Sequence, residues 1–100
     1  MFELVETETF SAWLGGLRDL NAQLRIQRHL ARLAFGNPGD VKPVGEGVSE
    51  MRIDYGPGYR VYYTRHGQKV IILLAGGDKR TQSRDIAAAL GLAQSIRKMK

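Results

Sequence analysis

The 100 residues, 43% hydrophobic and 25% charged, have the composition of one globular domain and leave no room for a second core. Cysteine is absent, which excludes disulfides and zinc–thiolate sites and suits a cytoplasmic protein, and no apolar run is long enough to span a membrane. The formal charge is +5 and the pI about 9.9, which suits a phosphate-bearing partner and suits an ordinary solvated basic surface as well.

Phe2 to Val5 reads as a short edge strand, and Glu3, Glu6 and Glu8 give this end the wrong sign for a secretory leader. Thr7 or Thr9 offers an N-cap for a helix through about Leu17, with Phe10, Trp13, Leu14 and Leu17 at helical spacing. Asp19 caps a second helix whose apolar stripe is Ile26, Leu30, Leu33 and Ala34, and whose polar face carries Arg25, Arg28, His29 and Arg32. Gly36-Asn37-Pro38-Gly39 ends it. The period then changes to two. Val48 to Tyr55 alternates, Gly56-Pro57-Gly58 turns the chain, and Tyr59 to Thr64 returns. His66-Gly67 is a hairpin turn into an apolar strand from Lys69 to Ala75, which Gly76-Gly77 ends. A last helix begins near Thr81 or Ser83, with Ile86, Ala89, Leu90 and Ala93 as its stripe. The order is β-α-α-β-β-β-α: an α+β domain over residues 1–100, with a two-layer antiparallel sheet packed by an N-terminal helix pair plus a C-terminal helix.

A three-residue turn sets Tyr55 against Tyr59, Asp54 against Arg60 and Arg52 against Tyr62, with Ile53 on Val61 and Met51 on Tyr63 beneath the helices. Ile71 and Leu73 then fall beside Tyr62 and Arg60. The open face presents Arg52, Arg60, Tyr62 and Thr64, with Lys79 and Arg80 just past the last strand. Ten of the fifteen Lys and Arg, but only four of the ten acids, lie from residue 50 onward. This patch is either a polar outer face with an Asp54–Arg60 ion pair or a phosphate site in which arginines fork onto oxygens.

Glu50-Met51-Arg52-Ile53-Asp54, Gly56-Pro57-Gly58-Tyr59-Arg60-Val61-Tyr62-Tyr63, Leu73-Leu74-Ala75-Gly76-Gly77-Asp78-Lys79, Gln82 and Asp85-Ile86 together resemble the RelE/ParE superfamily of toxins. The resemblance is to the HigB-like, phage-derived addiction module killer subgroup. Phe10, Trp13-Leu14, Leu17, Asp19 and Gly36-Asn37-Pro38-Gly39-Asp40 extend it over nearly the whole chain. The resemblance implies a RelE/ParE-like fold and the toxin of a type II toxin–antitoxin pair, neutralised by a helix-turn-helix antitoxin that also ties the complex to operator DNA. For RelE- and HigB-type relatives it implies cleavage of mRNA on the ribosome, and for the ParE branch a gyrase inhibitor on the same fold. A noncatalytic antitoxin-binding module is a further alternative.

Cleavage through the 2′-OH needs a base, charge stabilisation and a proton for the leaving oxygen, and neither a metal nor a cofactor. By the resemblance, Arg52 and Arg60 stabilise the phosphate and Lys79 moves a proton. Tyr62, Arg80, Gln82 and His66 are candidates for holding RNA. The sequence departs from several RelE-type enzymes in having no tyrosine after Tyr63, so the base is unassigned. Capping explains Gln82, and a turn explains His66, without any RNA.

Overall fold

The computed structural model describes residues 1–98. Strand β1 is Glu3–Glu6, α1 Glu8–Gly15, α2 Leu20–Ala34, β2 Val41–Gly45, β3 Val48–Ile53, β4 Tyr59–His66, β5 Val70–Asp78 and α3 Gln82–Lys98, with a 3-10 turn at Lys79–Thr81 before α3. The five strands form one sheet in the order β1-β5-β4-β3-β2.

Local chemistry accounts for the helix ends. Thr7 is the cap that α1 uses: its Oγ1 accepts from the Phe10 N–H at 3.1 Å and lies 2.8 Å from the Leu74 carbonyl, tying the helix to β5. Asp19 caps α2 through the Asn21 and Ala22 amides. At the far end of α2 the Gly36 N–H bonds Leu33 O and the Asn37 N–H bonds Arg32 O, with Gly36 at φ +91°. This is a Schellman closure that only glycine makes without strain.

The α+β class, the helix pair, the β3-β4-β5 meander and the C-terminal helix are as the sequence implies. The sheet is mixed, however, because β1 pairs parallel to β5 from Glu3↔Val70 to Glu6↔Leu73. Strand β2 is an addition: Pro43 argues against a strand at that place, but β2 lies at the sheet edge, where a missing N–H costs no ladder bond.

The β3–β4 register is Arg52↔Arg60, Ile53↔Tyr59 and Met51↔Val61, two residues from the expected pairing. The connection is Asp54–Gly58 rather than three residues, with Gly56 and Gly58 both at positive φ. A slip of two leaves every side chain on its expected face, since the pleat repeats every two residues.

Met51, Ile53, Val61 and Tyr63 therefore lie in one core with Phe10, Leu14, Ile26, Leu30 and Leu33. Ile71 and Leu73 belong to this same core, not to the face of Tyr62 and Arg60. A bulge between the Tyr62↔Ala75 and Tyr63↔Leu73 pairs leaves Leu74 unpaired and resets the alternation. The other face is not open: Val48, Tyr62, Leu74 and Ala75 pack against Ala89 and Ala93 of α3. The sheet is thus packed by helices on both sides, and the side chains of Arg52 and Arg60 lie at its margin.

Nor do Gly76 and Gly77 end β5; they lie within it. A methyl on Gly76 would fall inside the Trp13 indole, and one on Gly77 onto the Asp85 carboxylate. The pair lets α1 and the start of α3 approach β5 from opposite sides.

Candidate functional site

Strands β3 and β4 and the 3-10 turn bring three of the expected residues together. Arg52 and Arg60 are paired directly across the two strands, and Lys79 follows β5, whose Asp78 is paired with Tyr59. All three line one cleft of about 320 Å³ with Asp40, Ile53, Asp54, Gly58 and Tyr59. Lys79 is exposed, the Arg52 side chain is 38% exposed, and that of Arg60 only 12%.

Behind the arginines lies Glu50, 0% exposed, which was not among the expected site residues. Its Oε2 accepts from the Tyr62 hydroxyl at 2.9 Å and from Gln82 Nε2 at 2.8 Å. Its Oε1 faces Arg52 Nε at 3.4 Å and Arg60 Nη1 at 3.6 Å. Burial alone would raise the Glu50 pKa. The hydrogen bonds from Gln82 and Tyr62 and the charge of Arg60 outweigh it and hold the carboxyl below its ordinary 4.5. The same contact works in reverse on Tyr62, whose phenol is pushed far up by burial and by the Glu50 carboxylate it donates to. Arg60 Nε is buried with no hydrogen-bond partner among the described residues.

The other expected residues are placed differently. Tyr62 is wholly buried under α3, so its ring is not presented to solvent, and its hydroxyl holds Glu50. Gln82, the first residue of α3, does the same from the helix side. Arg80 is 82% exposed at the rim and pairs with Asp78 at 3.3 Å. His66 ends β4, six residues and about 20 Å of strand from Arg60. It borders another cavity, of about 350 Å³, with Ser49, Thr64, Arg65 and Arg97.

Two aromatics not anticipated as site residues flank the arginine cleft. Tyr55 stacks on Tyr59 at 6.4 Å, bonds Asp19 through its hydroxyl at 3.0 Å, and lies under the Arg25 guanidinium at 4.5 Å. Burial, then the charges of Asp19 and Asp78, raises the Tyr59 pKa, so that phenol stays protonated. Among the described residues no group of three or more His, Cys, Asp and Glu is placed to hold a metal ion. No helix among the described residues is long and apolar enough to cross a membrane.

Residues 17–96 match the family model of the phage-derived Gp49-like proteins (DUF891). The chain belongs to that family. Gp49-like proteins are a family of RelE-like toxins, and the α+β architecture with a five-stranded mixed sheet and three helices is compatible with a RelE-like fold. The chain is also 47% identical over 94 residues to an uncharacterized protein of Haemophilus influenzae (strain ATCC 51907 / DSM 11121 / KW20 / Rd), covering 94% of this chain and 95% of that one. For a Gp49-like chain the family points to a toxin with an antitoxin partner.

Proposed function

We propose that this chain is the toxin of a type II toxin–antitoxin pair, of the HigB-like kind, and that it cleaves mRNA on the ribosome without a metal. The observation that carries the reading is the convergence of Arg52, Arg60 and Lys79 on one cleft at the sheet margin.

The chemistry follows from the side chains. The two guanidinium groups hold the non-bridging oxygens of the scissile phosphate and offset the charge that grows there as the 2′-oxygen attacks phosphorus. The Lys79 ammonium protonates the departing 5′-oxygen, leaving a 2′,3′-cyclic phosphate and a 5′-hydroxyl. Asp40 and Asp54 are the carboxylates lining the cleft, and they are this reading's candidates for taking the 2′-OH proton. Arg80, exposed at the rim, draws the RNA backbone in. Tyr62 and Gln82 act from behind, through Glu50, and His66 has no part in the bond cleavage.

The reading carries its partners with it: an antitoxin, expected to bear a helix-turn-helix domain and so to bring the complex to operator DNA, and the ribosome with its message. The cytoplasm is the compartment that holds all of these.

A second reading, a toxin of the same fold that binds its target without cutting RNA, as a gyrase inhibitor does, draws on one feature. Glu50, Asp40 and Asp54 balance the charge of Arg52, Arg60 and Lys79, so the cleft carries no net excess of cations. The Arg60→Ala and Lys79→Ala variants decide between the two. The nuclease reading expects growth arrest and RNA cleavage to vanish in both while the antitoxin still binds. Retained arrest in both would leave the binding reading standing.

A further inference from the structure

Glu50 is a puzzle if its role is only to stabilise the fold. A buried ion pair is weak evidence for stability, since two well-packed apolar residues commonly do as well. What a carboxylate does at this position, and an apolar side chain would not, follows from the register. Arg52 and Arg60 are directly opposite each other on adjacent strands, an arrangement in which like charges repel. The single oxygen Oε1 lies between them, facing Arg52 through Nε and Arg60 through Nη1. Its twin Oε2 is pinned by two donors from separate elements, Tyr62 on β4 and Gln82 at the start of α3. The carboxylate therefore cannot swing away without breaking two hydrogen bonds in a site closed to water. Arg60 lines the cleft, while its Nε is buried without a hydrogen-bond partner among the described residues.

We infer that Glu50 is a positioning residue for anion binding: it holds the Arg52 and Arg60 guanidinium groups convergent on the cleft that a phosphate would enter. The inference rests on the reading of the cleft as a phosphate site. It also makes Gln82 a link between α3 and the cleft, because moving the start of that helix removes a donor that fixes the carboxylate. Glu50 itself touches no substrate, being walled off by the side chains it orients.

The test uses the full chain with Glu50→Gln and Glu50→Asp. The glutamine keeps the volume and an acceptor but removes the charge. The aspartate keeps the charge but withdraws it by one methylene. Three quantities are read: binding of a 2′-O-methyl RNA oligonucleotide that cannot be cleaved, cleavage of a translated message, and the Nε–Hε NMR signals of Arg52 and Arg60.

In Glu50→Gln the cleft gains one net positive charge, so the oligonucleotide binds at least as tightly as to the wild type. Cleavage nevertheless falls roughly 10- to 100-fold, the range seen when a partner that orients a binding group is removed elsewhere. The Arg60 Hε signal moves toward its solvent-exposed position. Glu50→Asp recovers part of the cleavage. A purely structural role predicts otherwise: binding, cleavage and thermal stability fall together and aspartate rescues nothing, which would overturn the inference. So would an unchanged Arg60 Hε signal with undiminished cleavage. If the wild type binds no RNA and cuts none, the phosphate-site reading itself fails, which is distinct from a wild type that cuts and a glutamine variant that cuts equally well.

Discussion

Gly76→Ala is the sharpest small perturbation this structure offers. The added methyl is one carbon, yet it would fall onto the six-membered ring of the Trp13 indole, against Cε3, Cζ3 and Cδ2. Neither partner gives way easily. Gly76 is inside β5 and paired with Val61, while Trp13 is held between Phe10, at 5.7 Å between ring centroids, and Tyr59, at 6.2 Å. Relief requires the indole to leave its place over the strand, giving up these contacts and unsettling the α1 side of the core. Overpacking of a close-packed interior costs about 1–3 kcal/mol, and the loss of both aromatic contacts by the half-buried indole puts this case at the upper end. For a domain of this size about 3 kcal/mol lowers Tm by roughly 12–24 °C. The assay is thermal unfolding of Gly76→Ala, of Trp13→Ala and of the double variant. The methyl should cost far less once the indole is gone, a coupling of roughly 1–3 kcal/mol between contacting residues. An equal cost in both backgrounds, or a Gly76→Ala protein as stable as the wild type, would refute the claim that glycine serves there as the floor for Trp13.

Glu50 makes stability depend on pH. Its folded pKa is lowered below 4.5, so its contribution is complete above that value and is lost as the pH falls through the folded pKa. Tm should drop over that acid range, and Glu50→Gln should flatten the drop without abolishing it, since Asp78 is also lowered, the bonds and charge of Arg80 outweighing the effect of burial. Tyr62→Phe removes a buried donor from Glu50 and should cost about 1–3 kcal/mol by denaturant unfolding. Asp19→Ala loses the α2 cap and the acceptor of the Tyr55 hydroxyl, for about 1 kcal/mol in the same assay. Lys79→Ala, at an exposed position, should leave stability within about 0.5 kcal/mol while RNA cleavage is lost.

Much of this architecture is legible in local patterns. Helix caps at Thr7 and Asp19, the Gly36 closure and the alternation in β3 and β4 are decided by neighbours a few residues away, so the chain announces them. The pairing of β3 with β4 needed one number more, the length of the loop. Gly56-Pro57-Gly58 looks like the whole turn, but Tyr55 leaves the sheet to stack on Tyr59 and reach Asp19, a partner 36 residues away. That displacement moves Arg52 opposite Arg60.

Partners distant in sequence also hid the role of Gly76-Gly77, which reads as a strand end until Trp13 and Asp85 are seen on its two sides. The burial of Glu50 is hidden for a related reason. Alternation assigns it to the face of Arg52, and local sequence alone leaves that face open. Its burial depends on α3 crossing over it, which the apolar stripe of Ile86, Ala89 and Leu90 and the apolar run of β5 together require. The spacing Glu50-x-Arg52 on one face, opposite Arg60 and Tyr62, was the available signal that the arginines already share an anion.

Whether this chain cuts messages during translation is the deciding question. Induced alone in growing cells, with 5′ ends of translated messages mapped against a Lys79→Ala control, it should produce new ends inside codons that vanish when translation is blocked and never arise in the control. Growth arrest accompanied by intact messages would contradict the account and leave the cleft a binding surface.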